Sequence, residues 1–206
     1  MHATTTSIRP PKRTITVRWR VVDIVVASVL GVAAALVFFA WNNTYNFVTT
    51  PLSLVLPGSQ ALLYGFWLFA GVLGGLVIRK PGAALFTELV AAVVSALLGA
   101  QWGGFATIEA GVVQGLGAEV IFLVFLYQRW NVVVAMIAGA AAGLAMAIND
   151  IVGYYLAAGA AFQLAYTVSG VISGAVIAGL GSWLIVRGLA RTGVLSRFAS
   201  GRAAQP

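Results

Sequence analysis

Charged residues, cysteine and histidine are all scarce in this chain, and each scarcity excludes a class of protein or site. Only 8% of the 206 residues are charged while 61% are hydrophobic, too few charges to cover a soluble globular protein of this length. There is no cysteine, which excludes disulfides and thiolate metal sites. The single histidine, His2, precedes every apolar segment, which excludes a histidine-ligated metal or a Ser/His protease inside a membrane.

The chain also lacks the motifs of nucleotide hydrolysis and of nucleophilic catalysis. Its only lysines are Lys12 and Lys80, and neither lies in a Gly-x-x-x-x-Gly-Lys-Ser/Thr phosphate loop. The Gly58-Ser59 and Gly181-Ser182 pairs lack the flanking residues of a nucleophile elbow. We therefore expect no enzyme activity, no catalytic residue, no cofactor and no metal site, and any energy must come from another protein.

What the chain does contain is a series of apolar segments with the length of membrane helices. Six spans are predicted, each near the roughly 20 residues needed to cross the hydrocarbon core: 21–41, 59–78, 83–100, 108–128, 131–149 and 164–186. We predict an all-α integral membrane protein with six transmembrane helices. It divides into a basic cytoplasmic leader (1–20), a six-helix membrane domain (21–186) and a basic cytoplasmic tail (187–206).

The basic residues are distributed on one side of these predicted spans. All twelve Lys and Arg residues fall before the first span, between the second and third, between the fourth and fifth, or after the sixth. Because basic residues are retained on the cytoplasmic side of a membrane, we expect both termini in the cytoplasm. The net charge of +7 is then explained by topology and by contact with anionic lipid, and no nucleic-acid partner is expected.

Small residues spaced four apart recur in the spans. Lipid tails provide little hydrophobic drive between helices, so small residues that allow close backbone approach must supply contact. The pairs predicted to pack within this chain are Gly71 and Gly75, Gly111 and Gly115, Gly139 and Gly143, and Gly170 and Gly174. The first span carries a longer strip, Ala27, Gly31 and Ala35, which we predict as a docking surface for a helix of a partner protein.

The outer half of the predicted bundle collects aromatic rings, amides and acids, and no bases. Rings stack on flat heterocycles and attract cations, and carboxylates complete a cation site. We predict an outer pocket for a small, flat, cationic molecule, with residues 42–58 as a loop that closes over it; an interfacial aromatic belt with polar caps is the alternative. The predicted pocket residues are the acids Glu109, Glu119 and Asp150, the rings Trp41, Tyr64, Trp67, Trp102, Tyr154 and Tyr166, and the amides Asn43 and Asn149.

Two further polar residues lie inside predicted spans. Glu88, in the inner part of the third span, is either a structural hydrogen-bonding group or a functional acid. On an ideal helix Glu109 and Glu119 point within about 80° of each other, whereas Gln114 points away from both. Gln114 is therefore expected to pack against another helix, unless the helix is distorted.

Two motifs carry a resemblance to a known family. They are Arg79-Lys80-Pro81-Gly82-Ala83-Ala84-Leu85 followed by Glu88, and Gln114-Gly115-Leu116-Gly117-Ala118-Glu119. Together they resemble the YkoE family, which comprises the thiamine-related substrate-binding (S) components of energy-coupling factor (ECF) transporters. The similarity runs from about Trp19 to the end of the sixth span.

The resemblance implies a function, a set of partners and three site residues. The chain would be a six-helix S component in a prokaryotic plasma membrane that captures thiamine or its hydroxymethylpyrimidine part from outside. Its partners would be a transmembrane coupling protein and ATPase subunits. Glu88, Gln114 and Glu119 carry over through the motifs as substrate-binding residues.

Two other functions remain open from the residues alone. A standalone proton- or sodium-coupled carrier could use Glu88 and Glu119 as an ion relay. A structural membrane subunit would bind no small molecule at all.

Overall fold

A computed structural model describes residues 18–202, with the side chain of Arg202 excepted, and within this range the chain is helical with no strand. Residues 1–17 and 203–206 lie outside the described residues, so most of the predicted leader, including His2, and the end of the predicted tail do too. The helices are α1 (Val21–Val55), a 3₁₀ helix (Ser59–Trp67), α2 (Phe69–Ile78), α3 (Ala83–Leu97), α4 (Gly104–Val124), α5 (Val132–Tyr154), α6 (Ala160–Ser173), a π-helical segment (Gly174–Leu180), α7 (Gly181–Arg191) and α8 (Ala199–Arg202).

The described helices include four that are long and apolar enough to cross a membrane: Val21–Val55, Gly104–Val124, Val132–Tyr154 and Ala160–Arg191. A fifth candidate combines the 3₁₀ helix with α2, which meet at a bend of 40°. The predicted third span forms the apolar helix α3, which has only 15 residues. The all-helical membrane class is confirmed, while the number of six spans and the orientation stay predictions.

The predicted loop over residues 42–58 is mostly helix, so this part of the sequence interpretation is wrong. Helix α1 continues through Pro51 to Val55, for 35 residues in all. Proline is tolerated inside membrane helices, although Pro51 has no N–H to donate to the carbonyl four residues before it. Just beyond it, the Ser59 hydroxyl donates to the Leu52 carbonyl at 2.8 Å and ties the end of α1 to the 3₁₀ helix. At 1.5 Å per residue α1 is about 50 Å long, longer than the roughly 30 Å hydrocarbon core.

The glycine pairs of the later spans pack against each other, as predicted. A Cβ atom added to Gly139 of α5 would overlap the carbonyl oxygen of Gly174, and one added to Gly143 would overlap that of Gly170. The two helices therefore approach at backbone distance, which brings their peptide groups into dispersion contact. This contact holds α5 against the α6 and π-helical stretch.

The small-residue strip of α1 is also used inside the protein, which corrects the predicted docking surface. Ala27 and Ala35 are fully buried and Gly31 is buried. A Cβ on Gly31 would meet the Val90 side chain and the Thr87 carbonyl oxygen of α3. Small residues permit close approach to any helix, so their spacing shows that a helix packs there and does not show whose helix it is.

The start of α1 is tied to the turn between α2 and α3 by a buried carboxylate. Asp23, fully buried, accepts hydrogen bonds from the Arg20 side chain and forms ion pairs with Arg20 and Lys80. The Lys80 ammonium also donates to the Arg18 carbonyl, and the Trp19 indole donates to the Pro81 carbonyl at 2.9 Å. We call this part of the molecule the basic end.

The segment after α7 folds back onto the basic end. Leu195 and Phe198 are buried, and the Ser200 hydroxyl donates to the Val77 carbonyl at 3.0 Å. The Arg20 guanidinium lies 5.9 Å from the centre of the Phe198 ring. Much of the stretch predicted as a basic tail is therefore packed against α1 and α2.

Candidate functional site

A cavity of about 230 Å³ lies at the end of the bundle remote from the α2–α3 turn. At about 30 Å³ for each water molecule, this is room for a small organic molecule of one or two rings. Residues from α1, the 3₁₀ helix and α3 to α6 form its wall. They are the rings Phe38, Tyr64, Trp67, Trp102, Tyr154, Tyr155 and Tyr166, the polar residues Glu88, Ser95, Thr107, Gln114, Asn149 and Asp150, and Ala92, Ala106, Ala110, Gly111 and Met146.

Helix α4 faces this cavity with one helical stripe, Thr107, Ala110, Gly111 and Gln114, which follows the i, i+3, i+4, i+7 spacing of a single face. Gln114 therefore lines the cavity, and the expectation that it packs against another helix is wrong. Glu109 and Glu119 are not among the lining residues. The cavity lies between this face of α4 and lining residues of α3 and α5.

The aromatic wall is centred on Trp67. Its ring centre lies 5.0 Å from those of Tyr64 and Trp102 and 5.2 Å from that of Tyr45, all edge to face. Its indole nitrogen donates to the Asn42 side-chain oxygen at 2.8 Å. The 3₁₀ helix puts Tyr64 and Trp67 on the same side because residues three apart eclipse in that geometry.

The solvent exposure of the rings decreases from the mouth of the cavity to its interior. Tyr154 is 59% exposed and Trp102 is 40% exposed, so these two lie at the mouth. Tyr166 is almost completely buried and its hydroxyl donates to Asp150 Oδ2 at 2.6 Å. Burial raises the pKa of Tyr155, in the turn after α5, so this phenol stays neutral beside the cavity.

Two carboxyl groups face the cavity with one oxygen each free of intramolecular hydrogen bonds. Glu88, almost completely buried, accepts from the Gly71 backbone amide through Oε2, and within residues 18–202 its Oε1 makes no hydrogen bond. Asp150 accepts from Tyr166 through Oδ2, and its Oδ1 likewise has no partner in the described chain. Neither forms an ion pair there, and the lining residues include no Lys, Arg or His. These two free carboxyl oxygens can each accept a hydrogen bond from a ligand.

The structure brings together most of the predicted pocket residues and leaves four outside the wall. Trp41 packs behind Trp67, with its ring centre 4.7 Å from that of Phe66. Asn43 is exposed and its amide donates to the Phe39 carbonyl of its own helix, so it does not reach the cavity. Glu109 contacts the lining residue Asn149 from outside, at 3.2 Å. The fourth residue is Glu119.

Glu119 lies at the other end of α4 and caps α3. Its carboxylate accepts from the Gly82 amide at 2.6 Å, the Ala84 amide at 2.9 Å and the Tyr127 hydroxyl at 2.6 Å. The first amides of a helix lack intrahelical partners and carry partial positive charge, which a carboxylate satisfies. Burial, together with the hydrogen bond to Glu119, raises the pKa of Tyr127. The prediction that Glu119 faces the outer pocket is therefore wrong.

Nine lining residues were absent from the prediction: Phe38, Ala92, Ser95, Ala106, Thr107, Ala110, Gly111, Met146 and Tyr155. Tyr155 could have been found, since it follows Tyr154 at the same predicted interface. Phe38 and Met146 carry no such signal, because an apolar residue in an apolar helix looks the same whether it faces lipid, core or ligand. Only the arrangement of neighbouring helices separates these three cases.

The cap on α3 leads to a stability prediction. Replacing Glu119 with Ala should lower the free energy of unfolding by about 1–3 kcal/mol, because the buried amides of Gly82 and Ala84 lose their acceptor. Thermal unfolding of the detergent-purified protein measures this. Tyr127→Phe, which removes one of the same hydrogen bonds, should cost less. A Glu119→Ala melting temperature equal to that of the wild type would contradict the capping role.

Comparisons with known proteins agree with this architecture. Residues 22–145 match the family described as "ABC-type cobalt transport system, permease component". The chain is 37% identical over 185 residues to the "Putative HMP/thiamine permease protein YkoE" of Bacillus subtilis (strain 168). The aligned region covers 89% of this chain and 91% of that protein. A crystal structure of an S-component of an ECF transporter superposes with a TM-score of 0.83 at 36% identity, over 90% of this chain and 93% of that chain. The resemblance inferred from the two motifs is confirmed, and the chain belongs to the YkoE family of ECF-transporter S components.

Proposed function

We propose that this S component binds thiamine or its hydroxymethylpyrimidine precursor in the aromatic cavity and delivers it for ATP-driven uptake. The observation that carries the proposal is the lining of the cavity, which combines six phenol and indole rings with Glu88 and Asp150 and has no basic residue. The relative in Bacillus subtilis bears the name of an HMP/thiamine permease, which supports the same ligand class.

The chemistry of the lining matches that of the vitamin. Thiamine joins a cationic thiazolium ring to a flat aminopyrimidine. A cation over an aromatic face gains about 0.5–2 kcal/mol, with the larger values in desolvated sites. The free oxygens of Glu88 and Asp150 complement the positive charge and the amine donors. The pyrimidine precursor lacks the cation but keeps the flat ring and its amine.

The same lining favours an organic cation over a metal ion as the transported molecule. The family description mentions cobalt, but no group of three or more His, Cys, Asp or Glu residues that could hold a metal occurs among residues 18–202. The lining offers no imidazole or thiolate, the ligands that favour transition metals, whereas its stacking surfaces suit a heterocycle.

The distribution of basic residues supports an orientation. With the basic end toward the cytoplasm, the cavity opens to the outside of a prokaryotic plasma membrane, and the basic leader and tail are cytoplasmic. Because the sequence has no phosphate loop, energy would come from ATPase subunits acting through a transmembrane coupling protein.

The geometry weighs against an ion relay between Glu88 and Glu119. In that alternative both acids would exchange protons or sodium along one path. Instead Glu119 is engaged by backbone amides at the start of α3 and by Tyr127, while Glu88 faces the cavity. The two acids serve different parts of the fold, and this favours the S component.

Thermal unfolding with candidate ligands tests the proposal against a ligand-free structural role. A ligand that binds only the folded state adds about 2.7 kcal/mol of stability at 100 times its dissociation constant. We expect a clear rise in melting temperature with thiamine, hydroxymethylpyrimidine or both, and none with riboflavin as the control heterocycle. The size of the two shifts shows which part of the vitamin is recognised. Folded protein that responds to neither compound would overturn the proposal.

A further inference from the structure

Glu109 lies behind the wall of the cavity and contacts it through one residue. It is half-buried on α4, off the stripe that faces the cavity. Its carboxylate oxygen Oε2 accepts a hydrogen bond from Nδ2 of Asn149 at 3.2 Å, and no other hydrogen bond or ion pair involves it within residues 18–202. This contact joins α4 to α5 across 40 positions of sequence.

The contact determines which way the Asn149 amide points. A carboxylate can only accept hydrogen bonds, so the nitrogen of the amide must face Glu109. The oxygen Oδ1 then points away, and it makes no hydrogen bond in the described chain although Asn149 lines the cavity. Among the described residues, the Trp41 indole nitrogen is the only buried side-chain polar atom without a hydrogen-bond partner. Since Asn149 Oδ1 also has no partner, it is not buried and must face open space.

We infer that Glu109 is a positioning residue that holds the side-chain oxygen Oδ1 of Asn149 toward the ligand. The pair would then select a ligand that bears an N–H donor opposite this oxygen. An unrestrained asparagine can turn its amide by 180° and would accept from an amine or donate to a carbonyl equally well. With Glu109 in place, that turn would set Oδ1 against a carboxylate. Asp150 is the next residue along α5 and adds a second acceptor to the lining.

This inference rests on the proposed function, which supplies the donor. The amine of an aminopyrimidine is a two-hydrogen donor on a flat ring, whereas the oxo analogue carries a carbonyl acceptor at that position. A polar site left facing the wrong partner loses more than a hydrogen bond, because its desolvation is not compensated. Discrimination between amine and carbonyl should therefore depend on Glu109 even though it does not line the cavity.

The test compares the affinity of the full-length purified protein for thiamine with its affinity for oxythiamine, in which a carbonyl replaces the pyrimidine amine. Isothermal titration measures both for the wild type and for Glu109→Gln. In the wild type thiamine should bind at least about tenfold more tightly, the factor expected for one correctly paired group. In Glu109→Gln, whose own amide can accept or donate, that ratio should fall at least about fivefold.

The ratio separates positioning from a merely structural effect, which would weaken both ligands by the same factor. Asn149→Leu, which removes the amide itself, should also lower the ratio and shows whether this amide contacts the ligand. Glu109→Ala, which removes the acceptor, carries the test of positioning should Glu109→Gln fold poorly. Glu109→Asp keeps an acceptor and should retain more of the selectivity. Glu119→Gln, at the far end of the same helix, is the matched control and should leave the ratio unchanged.

Two failures can be told apart. If the wild type binds thiamine and a folded Glu109→Gln or Glu109→Ala variant keeps the wild-type preference over oxythiamine, the positioning role is wrong whatever Asn149→Leu does, and the proposed function stands. If the folded wild type binds neither compound nor hydroxymethylpyrimidine, both are overturned.

Discussion

Thiamine monophosphate is expected to bind at least about 100-fold more weakly than thiamine, because juxtaposed like charges cost several kcal/mol in a desolvated site. The acidic side chains of Glu88 and Asp150 line the cavity, and its lining has no Lys, Arg or His to receive a phosphate. Competition titration against thiamine measures the difference. Such a cavity would import the unphosphorylated vitamin, and any phosphorylation would follow entry.

The control for this prediction replaces the two acidic groups with amides of nearly the same shape. In a Glu88→Gln, Asp150→Asn double variant the affinity for thiamine should fall, while that for the phosphate ester should fall less or rise. The difference in affinity between thiamine and thiamine monophosphate should therefore become smaller. Equal binding of both by the wild-type protein would mean that the phosphate reaches a region outside this cavity, and the electrostatic argument would be wrong.

Trp67→Ala is expected to weaken thiamine binding by about 10- to 100-fold, within the 1–3 kcal/mol lost when one ring that stacks on a base is removed. Trp67 is the centre of the aromatic wall, in ring contact with Tyr64, Trp102 and Tyr45, and its indole nitrogen is bonded to Asn42. Its removal would take away a stacking surface and release its neighbours. Titration with thiamine, alongside thermal unfolding without ligand, measures both effects.

Two matched variants separate ligand contact from general aromatic packing. Trp67→Phe keeps a ring but loses the hydrogen bond to Asn42, so its effect on affinity should be smaller. Trp183→Ala removes a tryptophan that lies 4.6 Å from the Arg187 guanidinium, away from the cavity lining, and should leave affinity unchanged. If Trp67→Ala and Trp183→Ala affected thiamine equally, Trp67 would not belong to the binding site.

The membrane class and half of the residues that line the cavity were predictable because they depend on local properties. Long apolar segments with few charges can be stable only in lipid, whatever their neighbours. Tyr64, Trp67, Trp102, Tyr154 and nearby polar groups cluster at predicted span ends on the side without bases. Residues at the same ends of neighbouring helices must lie close together, so the aromatic site followed from topology alone.

Other predictions failed where the outcome depends on which helices are neighbours. Pro51 is an ordinary signal for a helix end, yet α1 continues through it. The Ala27, Gly31 and Ala35 strip is compatible with any close helix, and α3 occupies it. Glu119 was assigned to the pocket as an acid inside a span and through its family motif. Its partners at 82–85 lie at the start of a different helix and cannot be read from local spacing.

The family motifs show the same division. Each motif contributes one residue to the cavity, Glu88 from the first and Gln114 from the second. Each also contributes one partner to a hydrogen bond near the basic end, where Glu119 of the second motif accepts from the Gly82 amide of the first. By itself the sequence determined that this chain is a helical membrane protein with an aromatic, acidic, base-free end, since composition and periodicity act locally. Only the tertiary structure decided which acids face the ligand space, because a carboxylate goes to whichever unpaired amides or cavity the packing of distant helices brings within hydrogen-bond reach.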